Sequence, residues 1–264
     1  MKKLFILTLL IITSPVFAFT LNNNFGASFS SNNVKVRVAG NTVCAGIRTD
    51  ELESLIEPAI KDFWNRVPTS ALRLQKASFT EAITNFQNGV LCPPTDKDCI
   101  TNAGNNAIPP VKDIIIGCNN ESANFSNSTN VLAVTVPNHF SGNKIVGAVI
   151  LINNTSNAFS MLTRNEQISV IAHEIGHAIG LGHSKDDASL MYYRTVDHRQ
   201  RLGQDDIDGV SYLYPVKADA CGLLGSIDET KTPPFMTTIG AMLMMILLAE
   251  CFKLLKRAKT RATL

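Results

Sequence analysis

Charge is scarce in this chain, and its two signs nearly cancel. Charged side chains make up 17% of the 264 residues, and 24 basic against 22 acidic groups leave a formal charge of +2. Setting aside the basic residues at the two ends leaves the middle slightly acidic, so the basic face that nucleic-acid binding requires is missing. No internal repeat is present, which excludes a stacked-repeat architecture. Histidine is rare as well: there are five, and three of them fall between positions 173 and 183.

Two apolar runs frame the chain. Lys2-Lys3, an apolar stretch from Leu4 to Ile12 and Val16-Phe17-Ala18 read as a secretory signal over residues 1–18, cleaved after Ala18. The run from Phe235 to Phe252 is long enough, at roughly 27 Å as a helix, to span a bilayer. Lys253, Lys256, Arg257, Lys259 and Arg261 follow and favour the cytoplasmic side for a tail at 253–264. Cys221-Gly222, the span and the basic tail also resemble, weakly, the C-terminal sorting signals of some bacterial surface proteins. An export signal permits disulfides. Cys44, Cys92, Cys99 and Cys118 allow three connectivities; Cys92 with Cys99, around a Pro-Pro loop, is the natural local pair and leaves Cys44 with Cys118.

Between these ends the periodicities predict one mixed α+β domain over residues 33–215, after an Asn/Ser-rich disordered lead at 19–32 and before a linker at 216–234. Val34–Val38 alternates as a strand. Thr49-Asp50-Glu51 caps a helix whose apolar stripe is Leu52, Leu55, Ile56, Ala59, Ile60, Phe63 and Trp64, with Pro58 kinking it or marking its first turn. Leu72–Leu74, Asp113–Ile116, Val131–Val136 and Ile145–Ile152 read as further strands, the last two joined by a turn at Ser141-Gly142-Asn143. Thr163 and Glu166 have the capping-box spacing that starts an active-site helix. A last helix runs from Gln204 to about Tyr214.

The chemistry concentrates in His173-Glu174-Ile175-Gly176-His177-Ala178-Ile179-Gly180-Leu181-Gly182-His183. His173 and His177 lie one helical turn apart and reach one metal ion together. Glu174 is rotated to stand beside that metal. Gly180 takes a positive φ that ends the helix and returns His183 as a third ligand. Three protein ligands leave one tetrahedral position open, the mark of a catalytic rather than a structural zinc.

With Met191 downstream, this motif resembles the metzincin metalloproteases, and Ser184, Ser189-Leu190-Met191-Tyr192 and Leu202-Gly203-Gln204-Asp205-Asp206-Ile207-Asp208-Gly209 resemble the matrixins among them. The resemblance is strong from about 163 to 215 and looser from 34 to 162. It implies a zincin fold: a twisted mixed sheet with an N-terminal helix, an active-site helix and a C-terminal helix. It also implies one catalytic zinc ion on His173, His177 and His183, Glu174 as general base, Met191 as an apolar floor and Asp205 bracing the turn around Met191. A protein or peptide substrate would add as a strand along Val131–Val136. The loop from Tyr192 to Leu202 would wall the specificity pocket, with Tyr193 where matrixins commonly have proline.

Departures narrow this expectation. Vertebrate matrixins hold a second, structural zinc on three further histidines. Only His139 and His198 remain here, and Val134 fills an expected ligand position, so a single zinc is expected. The 119–130 loop offers only Glu121 as a carboxylate, which leaves a calcium ion open. Cys44 lacks the surroundings of a propeptide switch cysteine. The sequence thus points to a zinc-dependent endopeptidase, exported and held by a single membrane span with its catalytic domain outside the cytoplasm, or released after C-terminal processing. The competing reading is a surface binding protein that keeps the fold without turnover; an intact Glu174 argues against it.

Overall fold

The structure, a computed structural model, describes residues 19–22, 26–194 and 201–216. The signal at 1–18, the linker beyond Val216, the span at 235–252, the basic tail, Cys221, Cys251 and His198 lie outside the described residues. Among those described, no helix is long and apolar enough to cross a membrane.

Among the described residues six strands and four α-helices follow one another: β1 (Ser28–Phe29), β2 (Asn33–Val38), α1 (Thr49–Lys61), β3 (Arg73–Lys76), α2 (Lys97–Ala103), β4 (Asp113–Asn119), β5 (Ala133–Ser141), β6 (Lys144–Asn153), α3 (Arg164–Ala178) and α4 (Gln204–Leu213). The strands form one sheet ordered β3-β2-β4-β6-β5, with β1 beside the start of β6. All pairings are parallel except that of β5, which runs antiparallel along β6 and has no other strand beside it among the described residues. The expected mixed sheet with N-terminal, active-site and C-terminal helices is therefore present.

Central strands buried on both faces need continuous apolar sequence rather than alternation. Ile114-Ile115-Ile116 of β4 and Ala148 to Ile152 of β6 supply it. One face packs Ile114, Ile116, Ala148 and Ile150 against α1 and α3; the other packs Ile115, Val149 and Leu151 against Phe86, Leu91, Ile108 and Phe125 from the long connections. The predicted stripe of α1 is buried from Leu52 to Trp64, although Trp64 falls in a short 3-10 turn after the helix.

Local chemistry departs from expectation at three places. Arg48, not the Thr49 group, is the N-cap of α1 and makes no side-chain cap bond; the Thr49 hydroxyl donates instead to the Thr42 carbonyl. Pro58 sits inside α1 without ending it. Its missing N–H frees the Ser54 carbonyl, and Arg164 at the start of α3 fills that vacancy, with Nη2 on Ser54 O at 3.1 Å and Nη1 on Ser54 Oγ at 3.0 Å. The lead at 19–32, expected to be disordered, contains β1 and an extended segment bonded to the loop after α3. Its polar composition is misleading because its contribution comes from backbone pairing.

The Asn/Ser-rich connections are also tied down by their own side chains. Asn119 donates to Phe86 O and Gly89 O, Asn124 to Gly89 O, and Asn153 to Ser128 O and Val131 O. Disulfides join Cys44 to Cys118 and Cys92 to Cys99, the pairing that the local-pair reading left. Two such bonds fit a protein matured in an oxidising, extracytoplasmic compartment. The first closes a loop of 74 residues and the second one of 7. Loop-closure entropy makes the longer bridge worth about 4 kcal/mol and the shorter about 2.5 kcal/mol. Replacing Cys44 and Cys118 by serine is thus expected to lower the urea unfolding free energy more than the same change at Cys92 and Cys99.

Candidate metal centre and cleft

α3 begins where the sequence places it. Thr163 Oγ1 accepts from the Glu166 N–H, and the Glu166 carboxylate reaches back to the Thr163 N–H at 2.7 Å. This reciprocal capping fixes the helical register, so that three turns later His173 and His177 share a face. The helix ends at Ile179, and Gly180 follows at φ 112°. That conformation turns the chain back and delivers His183.

The ring nitrogens of His173, His177 and His183 lie within 4.8 Å of one another. Among the described residues they form the cluster of metal-binding side chains. His173 Nδ1 sits 2.7 Å from Leu190 O and His177 Nδ1 2.9 Å from Leu181 O. A carbonyl can only accept, so each Nδ1 carries the proton and each Nε2 keeps its lone pair for a metal. His177 Nε2 and His183 Nε2 stand 3.1 Å apart, so the two rings converge on one point. Burial and the neighbouring His173 depress the pKa of His177 well below the usual imidazole value, and that of His183 in the same direction, which favours neutral rings. This donor set fits a zinc ion with three imidazole ligands.

Glu174 is 7% exposed and lines the same cleft. Burial raises its carboxyl pKa, against the lowering effects of His173 and of a hydrogen bond from Thr135 Oγ1 to Oε2 at 2.6 Å. The cleft, about 740 Å³, runs between residues 131–135, which lead into the edge strand β5, and Leu190, Tyr192, Tyr193 and Arg194 on either side of Met191. Tyr193 is half exposed on that second wall, with the Arg194 guanidinium over its ring. Residues 195–200 of the expected wall lie outside the described residues.

Met191 is buried against the active-site helix at Gly176. A Cβ on Gly176 would stand 2.3 Å from Met191 Sδ and 2.8 Å from Trp64 Cζ2, so glycine at this point of the motif is what lets the methionine pack directly on the helix. The turn carrying Met191 is held by Asp206 rather than by Asp205. The Asp206 carboxylate, 1% exposed, accepts from the N–H of Leu190 (2.6 Å), Met191 (3.0 Å) and Gly203 (2.7 Å), and from the Ser189 hydroxyl. Asp205 accepts from Ser184 Oγ, and Ser184 pairs by its N–H with Met191 O, so its bracing is indirect. The sequence held the signal for Asp206, since it is the residue three beyond Gly203 that can cap α4.

One contributor went unforeseen. Residues 20–22 run antiparallel to the loop that carries His183: Gly182 N donates to Thr20 O at 2.8 Å and Asn22 N to Gly180 O at 2.9 Å. Thr20 Oγ1 donates to His183 O, and Asn22 Nδ2 to His177 O at 3.2 Å. His139, the other described histidine, stands apart on a bulge of β5 with Nδ1 at Val111 O. Glu121, the single carboxylate of the 119–130 loop, accepts from the Ala123 N–H and caps a 3-10 turn.

A helix with two histidines one turn apart, a glycine return to a third and a methionine turn beneath define a metzincin-type site. Comparison with known proteins gives the group: residues 113–215 match the family model described as Matrixin. The chain is 43% identical over 53 residues to the probable matrix metalloproteinase 095L of Invertebrate iridescent virus 3, covering 20% of this chain and 15% of that protein. It is 38% identical over 71 residues to metalloendoproteinase 2-MMP of Arabidopsis thaliana, covering 26% and 17%. With stromelysin-2 of Rattus norvegicus the identity is 49% over 68 residues, covering 24% and 13%. Residues 113–215 are thus similar to a matrixin-type metzincin domain. The chain spans less than a fifth of the length of each of these relatives.

Two outcomes follow from this geometry. Asp206→Ala removes charge-assisted bonds to buried donors and is expected to cost about 3 kcal/mol or more in chemical unfolding, whereas Asp208→Ala on the exposed face stays within about 0.5 kcal/mol. The zinc-free protein is expected to lose stability as pH falls below the unfolded imidazole value of about 6.5, because the unfolded histidines take up protons that folded His177 and His183 resist. A flat unfolding free energy between pH 7 and 5 would contradict that assignment.

Proposed function

We propose that this protein is a zinc-dependent endopeptidase acting on proteins outside the cytoplasm. The observation that carries the reading is the convergence of three imidazole Nε2 donors, two of them locked by carbonyls on Nδ1, beside a buried glutamate at the free edge of the sheet. His173, His177 and His183 hold the metal. The chemistry a zinc ion supplies there is Lewis acidity, which acidifies water and polarises a scissile carbonyl. Glu174 takes the proton of the attacking water and returns it to the leaving amine. An extended peptide adds to β5, whose outer edge has main-chain groups to offer, and Tyr192, Tyr193 and Arg194 wall the specificity pocket.

The relatives are a probable matrix metalloproteinase and a metalloendoproteinase, which supports this reaction class. The signal read at 1–18, the apolar run at 235–252 and the basic residues behind it support an exported, membrane-tethered placement. Retention of Glu174 next to a complete ligand set favours turnover over a binding role.

Glu174→Gln keeps the shape and removes the base. Zinc content measured by atomic emission is expected to stay at the wild-type value, while cleavage of a peptide library falls by about a thousandfold. Chelation with 1,10-phenanthroline is expected to abolish wild-type cleavage, and added zinc to restore it. Undiminished cleavage by the Gln variant would overturn the role of Glu174; a wild-type protein that holds zinc and cleaves nothing would favour the binding reading.

A further inference from the structure

We propose that Thr135 is a positioning residue for Glu174, and that it ties the orientation of the base to the strand on which substrate docks. The inference rests on the peptidase reading above. Glu174 projects from α3 into the cleft on a side chain with three rotatable bonds, and its carboxylate is almost fully buried. A carboxylate in that setting needs donors. Among the described residues, Thr135 Oγ1 is the side-chain donor it has, at 2.6 Å on Oε2.

The donor is unusually well anchored. Thr135 lies within β5, paired opposite Ile150 of β6, so its backbone is held by the sheet and not by a loop. Its β-branched side chain has a stiff χ1, which aims the hydroxyl. Binding Oε2 in this way leaves Oε1 as the oxygen for proton transfer and limits its swing to the arc that water and the leaving amine must share. Misplacement of a reacting group by about 1 Å is enough to cost orders of magnitude in rate.

The same residue belongs to the exposed edge that the substrate main chain would join. Peptide docking on β5 and orientation of the base therefore pass through one backbone segment. Val136 and Val134 on either side carry no donor, so the hydroxyl at 135 is what distinguishes this arrangement from plain strand packing.

The test uses the full chain and a fluorogenic peptide that the wild type cleaves; failure to find such a peptide would count against the peptidase reading itself and not against Thr135. Thr135→Val keeps the shape, Thr135→Ala removes bulk without overpacking, and Thr135→Ser keeps the hydroxyl. Valine and alanine variants are expected to lose roughly tenfold in kcat with KM within about twofold of wild type, and serine to recover most of that loss. Zinc affinity, measured by competition with a chromogenic chelator, is expected to match wild type in all three. Wild-type kcat in the folded valine or alanine variant would overturn the proposal. So would a loss carried by KM, a serine variant no better than valine, or zinc affinity that falls in step with kcat.

Discussion

Two backbone carbonyls set the metal centre. Leu190 O and Leu181 O each receive an imidazole N–H, and by doing so they decide which nitrogen of His173 and His177 faces the metal. Neither carbonyl belongs to α3. One sits in the return loop after the helix and the other in the turn around Met191, so the chemistry of the helix depends on where two irregular segments stop. Each of those segments has its own restraint: residues 20–22 for the first, the Asp206 carboxylate for the second. The packing of Met191 directly on Gly176 closes the circuit, since the turn can approach only because that helical position has no side chain.

Regular elements were legible in the sequence because each is specified by its own residues. The Thr163/Glu166 capping box, the apolar face of α1 and the continuous apolar runs of β4 and β6 are local or periodic signals, and the motif on α3 inherits its register from the cap. What escaped was backbone pairing between distant segments. The lead at 19–32 reads as polar and featureless because main-chain bonds to Gly180 and Gly182 leave no side-chain signature. Asp205 and Asp206 differ by one residue's rotation about α4: the resemblance named Asp205, which reaches the turn through Ser184, and Asp206 bonds it directly. Pro58 was ambiguous for a similar reason: whether proline breaks a helix depends on who takes the orphaned carbonyl, and Arg164 stands more than a hundred residues away.

The second face of the sheet shows another route to order. Segments 77–112 and 119–131 contain little regular structure, yet they cover Ile115, Val149 and Leu151. Carboxamides at the ends of strands do the fastening. Asn119 and Asn153 each follow the last apolar residues of a central strand and spend both donor hydrogens on loop carbonyls, which satisfies buried polar groups without a net charge. The composition that suggested disorder is, at these positions, a set of neutral cross-links working alongside two disulfides.

The bond from Thr20 to the His183 carbonyl spans 163 positions along the chain. Contacts at such separation close late, because the intervening chain must already be compact before they cost little entropy. His173 and His177 share a face as soon as α3 forms, but their rings are oriented, and the third imidazole's loop is bonded, only when segments outside the helix have docked. The candidate metal centre thereby joins the first described residues of the domain to the loop that carries its third histidine.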